Sequence, residues 1–261
     1  MNLHLQDKVI VVTGAASGIG KSITHCLATE RAIVCMIDRN IPALANCFCE
    51  INETGSKVFQ LHAELTNPNE CTIAIEKILT EYGRIDGLVN NAGVNDGVSL
   101  EYGDREQFVD SLSKNVLHYH SMADLCFPSL VKTKGTIVNI CSKTAETGQG
   151  GTSGYAAANG ARLNLVNSWS SSFPLTGVRA NAVVVAECWT PLYEWWIGQQ
   201  SNPAEKLKKI NTKIPLGNRM TTSEEIAYTV SFLLSPKSLG INGQWIHVDG
   251  GYVHLDRGAD L

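Results

Sequence analysis

The sequence lacks the features that carry a chain into or across a membrane. Its apolar runs, Val9–Val12, Ala32–Ile37 and Ala182–Ala186, fall far short of the roughly 20 residues that span a bilayer. The stretch Met1-Asn2-Leu3-His4-Leu5-Gln6-Asp7 has neither the basic nor the apolar region of a signal peptide, so a cytoplasmic location is expected. Basic excess is missing too: 21 Lys and Arg against 25 Asp and Glu leave a formal charge of −4, which argues against nucleic acid or an anionic membrane as partner. With only 8 prolines in 261 residues, and no Pro/Ser-rich linker or repeat, one domain is expected. Eight cysteines are present without a Cys-x-x-Cys, the closest pair being Cys47-x-Cys49. A disulfide framework is not expected, and most should be buried, reduced and structural. No metal site is expected from His118-x-His120, because residues two apart on a helix face nearly opposite ways.

What is present is alternation. Short β-branched runs at Lys8–Thr13, Ala32–Asp38, Lys57–Ala63, Ile85–Asn90, Thr136–Cys141, Val178–Val185 and Gln244–Val248 read as strands. Longer stretches between them, Gly18–Arg31, Pro42–Thr54, Pro68–Tyr82, Arg105–Lys132, Gly154–Phe173 and Ser223–Leu234, read as helices. Strands apolar without alternation are buried on both faces, the mark of a parallel sheet. The expected fold is therefore an α/β doubly wound, Rossmann-type sheet of about seven parallel strands in a single domain. The longest break in the alternation, residues 187–220, carries Trp189, Trp195 and Trp196. It lies where a strand ends at the ligand edge, so it is expected to form a small lid over the substrate.

Thr13-Gly14-Ala15-Ala16-Ser17-Gly18-Ile19-Gly20 follows the first strand and opens the first helix. That context makes it a candidate dinucleotide turn, with Gly14 for the turn, Gly18 for close approach of backbone N–H groups to a pyrophosphate, and Gly20 for helix packing. Ser17 and Ile19 belong to the same turn. Asp38, ending the second strand, is expected to accept the adenosine ribose hydroxyls and repel a 2′-phosphate, favouring NAD over NADP. Arg39 beside it partly offsets that repulsion. Glu64 and Leu65, after the third strand, are expected to flank the adenine.

Asn90-Asn91-Ala92-Gly93, Asn115, Ser142 and Tyr155, together with the glycine turn, resemble the short-chain dehydrogenase/reductase family over essentially the whole length. The stretches Val89–Gly97, Ser142–Ala145, Thr147–Gly150 and Gly250–Arg257 are similar to bacterial L-fucose dehydrogenases within it. The resemblance implies hydride transfer between a substrate carbinol and nicotinamide. Tyr155 would be the base, Ser142 would hold the substrate oxygen, and Asn115 would hold a water linking the site to solvent. Asn91, Ala92, Gly93, Tyr155, Asn159 and Thr190 would line the cofactor, with Thr190 at the nicotinamide carboxamide. It also implies a homotetramer built through Arg105–Lys132, Gly154–Phe173 and the last strand, with His254 and Arg257 reaching a neighbouring subunit.

The chain departs from the resembled pattern at two places. Val185-Ala186-Glu187 stands where the family usually has Pro-Gly after the sixth strand, with Thr190-Pro191 retained. The other departure bears on catalysis. Tyr155-Ala-Ala-Ala-Asn159 carries an asparagine where the family has a lysine, one helical turn on and on the same face. That ammonium would bind the nicotinamide ribose and favour the ionised tyrosine. Asn159 keeps the ribose hydrogen bond but supplies no charge, and Asn159→Lys is the change expected to raise turnover near neutral pH. Two readings follow: an NAD-dependent dehydrogenase of a sugar (an L-fucose-like aldose) or similar polyol, working slowly, or a cofactor-binding pseudoenzyme. Candidate substrate contacts are Asn95, Asp96, Lys143, Gln149, Glu187 and Trp195 or Trp196, since hydroxyls need polar partners and sugar C–H faces pack on rings. Lys143 follows Ser142 on the strand end, where alternation points it away from the site.

Overall fold

The computed structural model describes residues 2–173 and 175–254. Seven strands form one sheet in the order β3-β2-β1-β4-β5-β6-β7, with every pairing parallel. They are β1 (Val9–Thr13), β2 (Ile33–Asp38), β3 (Val58–His62), β4 (Gly87–Asn90), β5 (Thr136–Ser142), β6 (Arg179–Val185) and β7 (Trp245–Val248). β1, β4 and β6 are buried at every position, as their unbroken apolar runs require. The edge strands β3 and β7 are only partly covered. The expected doubly wound α/β fold is the one observed.

The helices are α1 (Gly18–Thr29), α2 (Ile41–Asn52), α3 (Pro68–Tyr82), α4 (Arg105–Leu112), α5 (His118–Thr133), α6 (Ser153–Ser172), α7 (Pro191–Gly198), α8 (Pro203–Asn211) and α9 (Ser223–Leu234). Two large apolar clusters sandwich the sheet. One gathers α1 and α9 residues such as Ile23, Leu27, Ile226 and Val230 around Ile10 and Val12. The other gathers Ile75, Ile78, Met122 and Leu130 around Val11 and Leu88.

The stretch Arg105–Lys132, expected as one helix, is interrupted by a π-helical segment, Ser113–Leu117. The interruption has a local cause. Asn115 turns inward and is fully buried; its amide donates to Val94 O (2.9 Å) and Ser111 O (3.0 Å), while its oxygen accepts from Val94 N (2.8 Å). The wider turn brings that side chain to the loop after β4, as such bulges often do near functional sites.

Residues 187–220 leave the sheet between β6 and α9 and hold α7 and α8. Their base is closed by backbone pairing, Thr221 N to Glu187 O (3.1 Å) and Trp189 N to Thr221 O (3.3 Å). All eight cysteines are free, six of them buried, with Cys26 partly covered and Cys49 exposed. Among the described residues no helix is long and apolar enough to cross a membrane.

Candidate active site

Parallel pairing brings every strand's carboxyl end to one edge, and the strand order reverses there between β1 and β4. The glycine turn sits at that reversal. Gly14 and Gly18 take left-handed backbone, φ 63° and 52°, and a Cβ on Gly20 would lie 1.9 Å from the Gly14 carbonyl oxygen. Only glycine allows α1 to pass this close over the turn. Ser17 makes no side-chain capping bond and the first turn of α1 carries no acidic residue. By contrast, Asn40, Asn67, Asp104 and Thr222 cap α2, α3, α4 and α9 through their side chains. The N–H groups and partial positive charge at Gly18, Ile19 and Gly20 are therefore left for an anion, and the turn fits a dinucleotide pyrophosphate.

Asp38 closes β2 and is fixed by Ala16 N (3.0 Å) and Asn40 N (2.9 Å). Arg39 turns away from it to Glu64, 3.4 Å distant. Partial burial pushes the Glu64 carboxyl up, but hydrogen bonds from Thr66 and the Arg39 charge outweigh it and hold the group low. Leu65 is half-buried against the core.

The Asn91-Ala92-Gly93 run acts as a buttress to the glycine turn. Thr13 Oγ1 accepts from Asn91 N (2.9 Å) and Ala92 N (3.2 Å), and the Asn91 amide donates to the carbonyls of Thr13 (3.0 Å) and Gly14 (3.1 Å). Asn91 thus shapes the cofactor turn from behind. Thr190 caps α7, and its methyl group lies 3.5 Å from where a Gly18 Cβ would be, so the excursion reaches the glycine turn.

Ser142 ends β5 and Tyr155 stands in the first turn of α6; both are half-buried. Asn159 joins them: its oxygen accepts from Ser142 N (2.9 Å) and its amide donates to Tyr155 O (2.9 Å). The same oxygen accepts from Arg162 Nη1 (3.1 Å), and the residue is fully buried. Asn159, expected at the ribose, has its side-chain oxygen taken by Ser142 N and Arg162 Nη1 and one amide hydrogen given to Tyr155 O. Asn115 holds Val94, Ser111 and, through Oδ1, Arg162 Nη2 (3.2 Å). These contacts anchor the loop after β4 and the Arg162 guanidinium to the π segment.

Sequence reasoning passes over Arg162, since one arginine in a helix reads as a surface residue. The signal was its spacing: seven residues after Tyr155 and three after Asn159 is one helix face. Tyr193 and Tyr252 also enter only through the fold. Lys143 and Glu187, expected as separate substrate contacts, form a buried ion pair with side chains 6 % and 17 % exposed. Tyr193 donates to the other Glu187 oxygen (2.8 Å), and the Lys143 ammonium lies 3.9 Å from the centre of the Tyr252 ring. Burial first, and then the Glu187 charge, push the Tyr193 phenol up and keep it a donor.

Asp96 accepts from Ser111 Oγ (2.9 Å). Asn95 and Gln149 lie on exposed loops at the same edge, and Trp195 is 63 % exposed on α7. His118 is buried with its ring bonded to Lys114 O, while His120 stacks on Trp169; among the described residues no cluster could hold a metal. His254 lies beside His247, ring centres 5.4 Å apart, and Arg257 lies outside the described residues.

A family model described as enoyl-(acyl carrier protein) reductase matches residues 14–253. The 3-oxoacyl-[acyl-carrier-protein] reductase of Thermotoga maritima is 31 % identical over 96 % of this chain and 100 % of its own. The L-fucose dehydrogenase of Mus musculus is 28 % identical over 94 % of this chain and 88 % of its own. Among solved structures, Cj0485 dehydrogenase superposes with a TM-score of 0.96 at 39 % identity, each chain fully covered. The aldohexose dehydrogenase of Thermoplasma acidophilum gives 0.88 at 27 % identity, with 98 % of each chain covered.

Two outcomes follow from these contacts. Glu187→Gln strands the buried Lys143 charge and should cost about 3 kcal/mol, seen as a Tm several degrees lower in a thermal melt. Asn159→Lys sets an ammonium against the Arg162 guanidinium, so this single change should lower Tm and fail to raise turnover, contrary to what the sequence pattern suggests. A melt that is unchanged or higher would show that the two cations tolerate each other.

Proposed function

Because the chain belongs to the short-chain dehydrogenase/reductase family, and is thus an oxidoreductase of a kind that uses nicotinamide cofactors, we propose that it oxidises the carbinol of a sugar, an L-fucose-like aldose, or of a similar polyol, with NAD. The observation that carries this reading is the Lys143–Glu187–Tyr193 cluster next to Ser142. Ion-paired and phenolic groups beside tryptophan faces suit a polyhydroxylated ring better than an acyl chain. Relatives named for L-fucose and aldohexoses point the same way. NAD is favoured over NADP because a 2′-phosphate would meet the Asp38 carboxylate, while Arg39 is drawn to Glu64.

In this reading the glycine turn and Asp38 would hold NAD, whose nicotinamide would supply the hydride acceptor. Ser142 Oγ holds the carbinol oxygen, and the Tyr155 phenol oxygen takes the hydroxyl proton as the C–H bond breaks. Gly18–Gly20 bind the pyrophosphate, and Asp38 with the Glu64–Leu65 loop receives the adenosine. Trp195 and the rest of α7 cover the substrate as a lid, with Asn95 and Gln149 at its rim. The same reading carries a cytoplasmic homotetramer, joined through faces such as Val109 and Leu117 that are 49 % and 56 % exposed. A second reading, a cofactor-binding protein with little turnover, draws on the internal use of the Asn159 amide.

The test is NAD and NADP reduction over a panel of aldoses at about pH 7 and pH 9.5, for the parent and Tyr155→Phe. L-Fucose-like aldoses should reduce NAD in preference to NADP, and Tyr155→Phe should cut kcat by about 100-fold or more without weakening NAD binding. Calorimetric NAD binding without reduction by any sugar selects the second reading. Absence of binding removes both.

A further inference from the structure

Arg162 is buried at 3 % exposure on the inner face of α6. Its guanidinium donates to the main-chain oxygens of Asn115 and Ile140 and to the side-chain oxygens of Asn115 and Asn159. Every one of these acceptors is neutral. None of the ion pairs among the described residues includes it. An unpaired buried cation is costly and persists where something offsets it. The rings it faces are Tyr119, 4.2 Å from its central carbon, and Tyr155, 5.9 Å away.

We propose that Arg162 is the positioning cation of this site: it locks Asn115 and Asn159 in place and sets a fixed positive charge against Tyr155 that stabilises the negative charge formed on the phenol during proton transfer. The inference rests on the dehydrogenase reading, with Tyr155 as base. Among the described residues, Arg162 is the cation found against that ring. From α5, burial and the guanidinium push His118 down to about 4, so it is neutral. Tyr119, held up by burial, donates to Ile140 O (3.0 Å). From β5, burial pushes the Cys141 thiol up to about 12. The nearby carboxylates have other partners: Asp96 has Ser111, Asp110 has Lys114, Glu146 has His247, Glu187 has Lys143 and Glu64 has Arg39. Gly93 makes room for the arrangement, since a Cβ there would stand 2.6 Å from Arg162 Nη2.

The experiment is a pH–rate profile of NAD reduction, with thermal melts and calorimetric NAD binding, for the wild type, Arg162→Lys, Arg162→Met and Arg162→Met combined with Asn159→Lys. The wild-type profile should rise at lower pH than that of Arg162→Met. Arg162→Met should lose about 100-fold or more in kcat near pH 7, with the loss shrinking as pH rises and KM for NAD unchanged. Arg162→Lys keeps the charge and should keep most of the rate. The double variant returns a cation to the same face one turn from Tyr155, and should recover rate that a purely structural arginine would not restore. A folded Arg162→Met with the wild-type profile overturns the inference. So does a folded Arg162→Lys that loses most of the rate. NAD binding without turnover at any pH overturns the dehydrogenase reading and the inference with it, and absence of NAD binding removes both functional readings.

Discussion

All seven strands pair in parallel, so their carboxyl ends must share one edge, and the glycine turn, Asn91–Gly93, Ser142 and Glu187 stand at or just beyond it. The seam between β1 and β4, where strand order reverses, is the place on that edge where a ligand enters between diverging connections. It is held by side chains. Thr13 and Asn91 bind one another's backbones across it and fix the shape of the glycine turn from behind. The start of α1, left without a side-chain cap, then faces the opening with its N–H groups free for phosphate.

A second set of contacts positions Ser142 and Tyr155. Asn159 ties the end of β5 to α6 through Ser142 N and Tyr155 O, and Arg162 ties Asn159 to Asn115 on the neighbouring π segment. Three elements are thereby locked around one buried guanidinium. The arrangement is unusual in its charge, because all of that cation's partners are neutral. Hydrogen bonds satisfy its donors but leave its charge uncompensated, and negative charge forming on a facing phenol is the natural counterpart.

The excursion after β6 is joined to this edge by electrostatics as well as packing. Glu187 accepts from Lys143 on one oxygen and from Tyr193 of α7 on the other, so a strand end, a loop and α7 share one carboxylate. Beneath it Ile214, Met220 and Tyr252 form a small apolar cluster of their own. Of the polar contacts expected to meet a substrate one by one, Lys143 and Glu187 are joined with Tyr193 in a single network.

The linear order of apolar runs and glycines determined the parallel sheet, its single domain and the dinucleotide turn, because burial on both faces and the steric demand at Gly20 are written in local residue types. The spacing of Ser142 and Tyr155 carried the family resemblance, and the structure places them at the end of β5 and in the first turn of α6. Only the tertiary structure decided how charge is distributed among them. That Lys143 meets Glu187 across two strand ends, that Asn115 bends its helix to reach Val94, and that Arg162 points inward to Asn159 depend on elements far apart in the chain. Such pairings follow from three-dimensional packing and desolvation, which no local pattern of residues encodes.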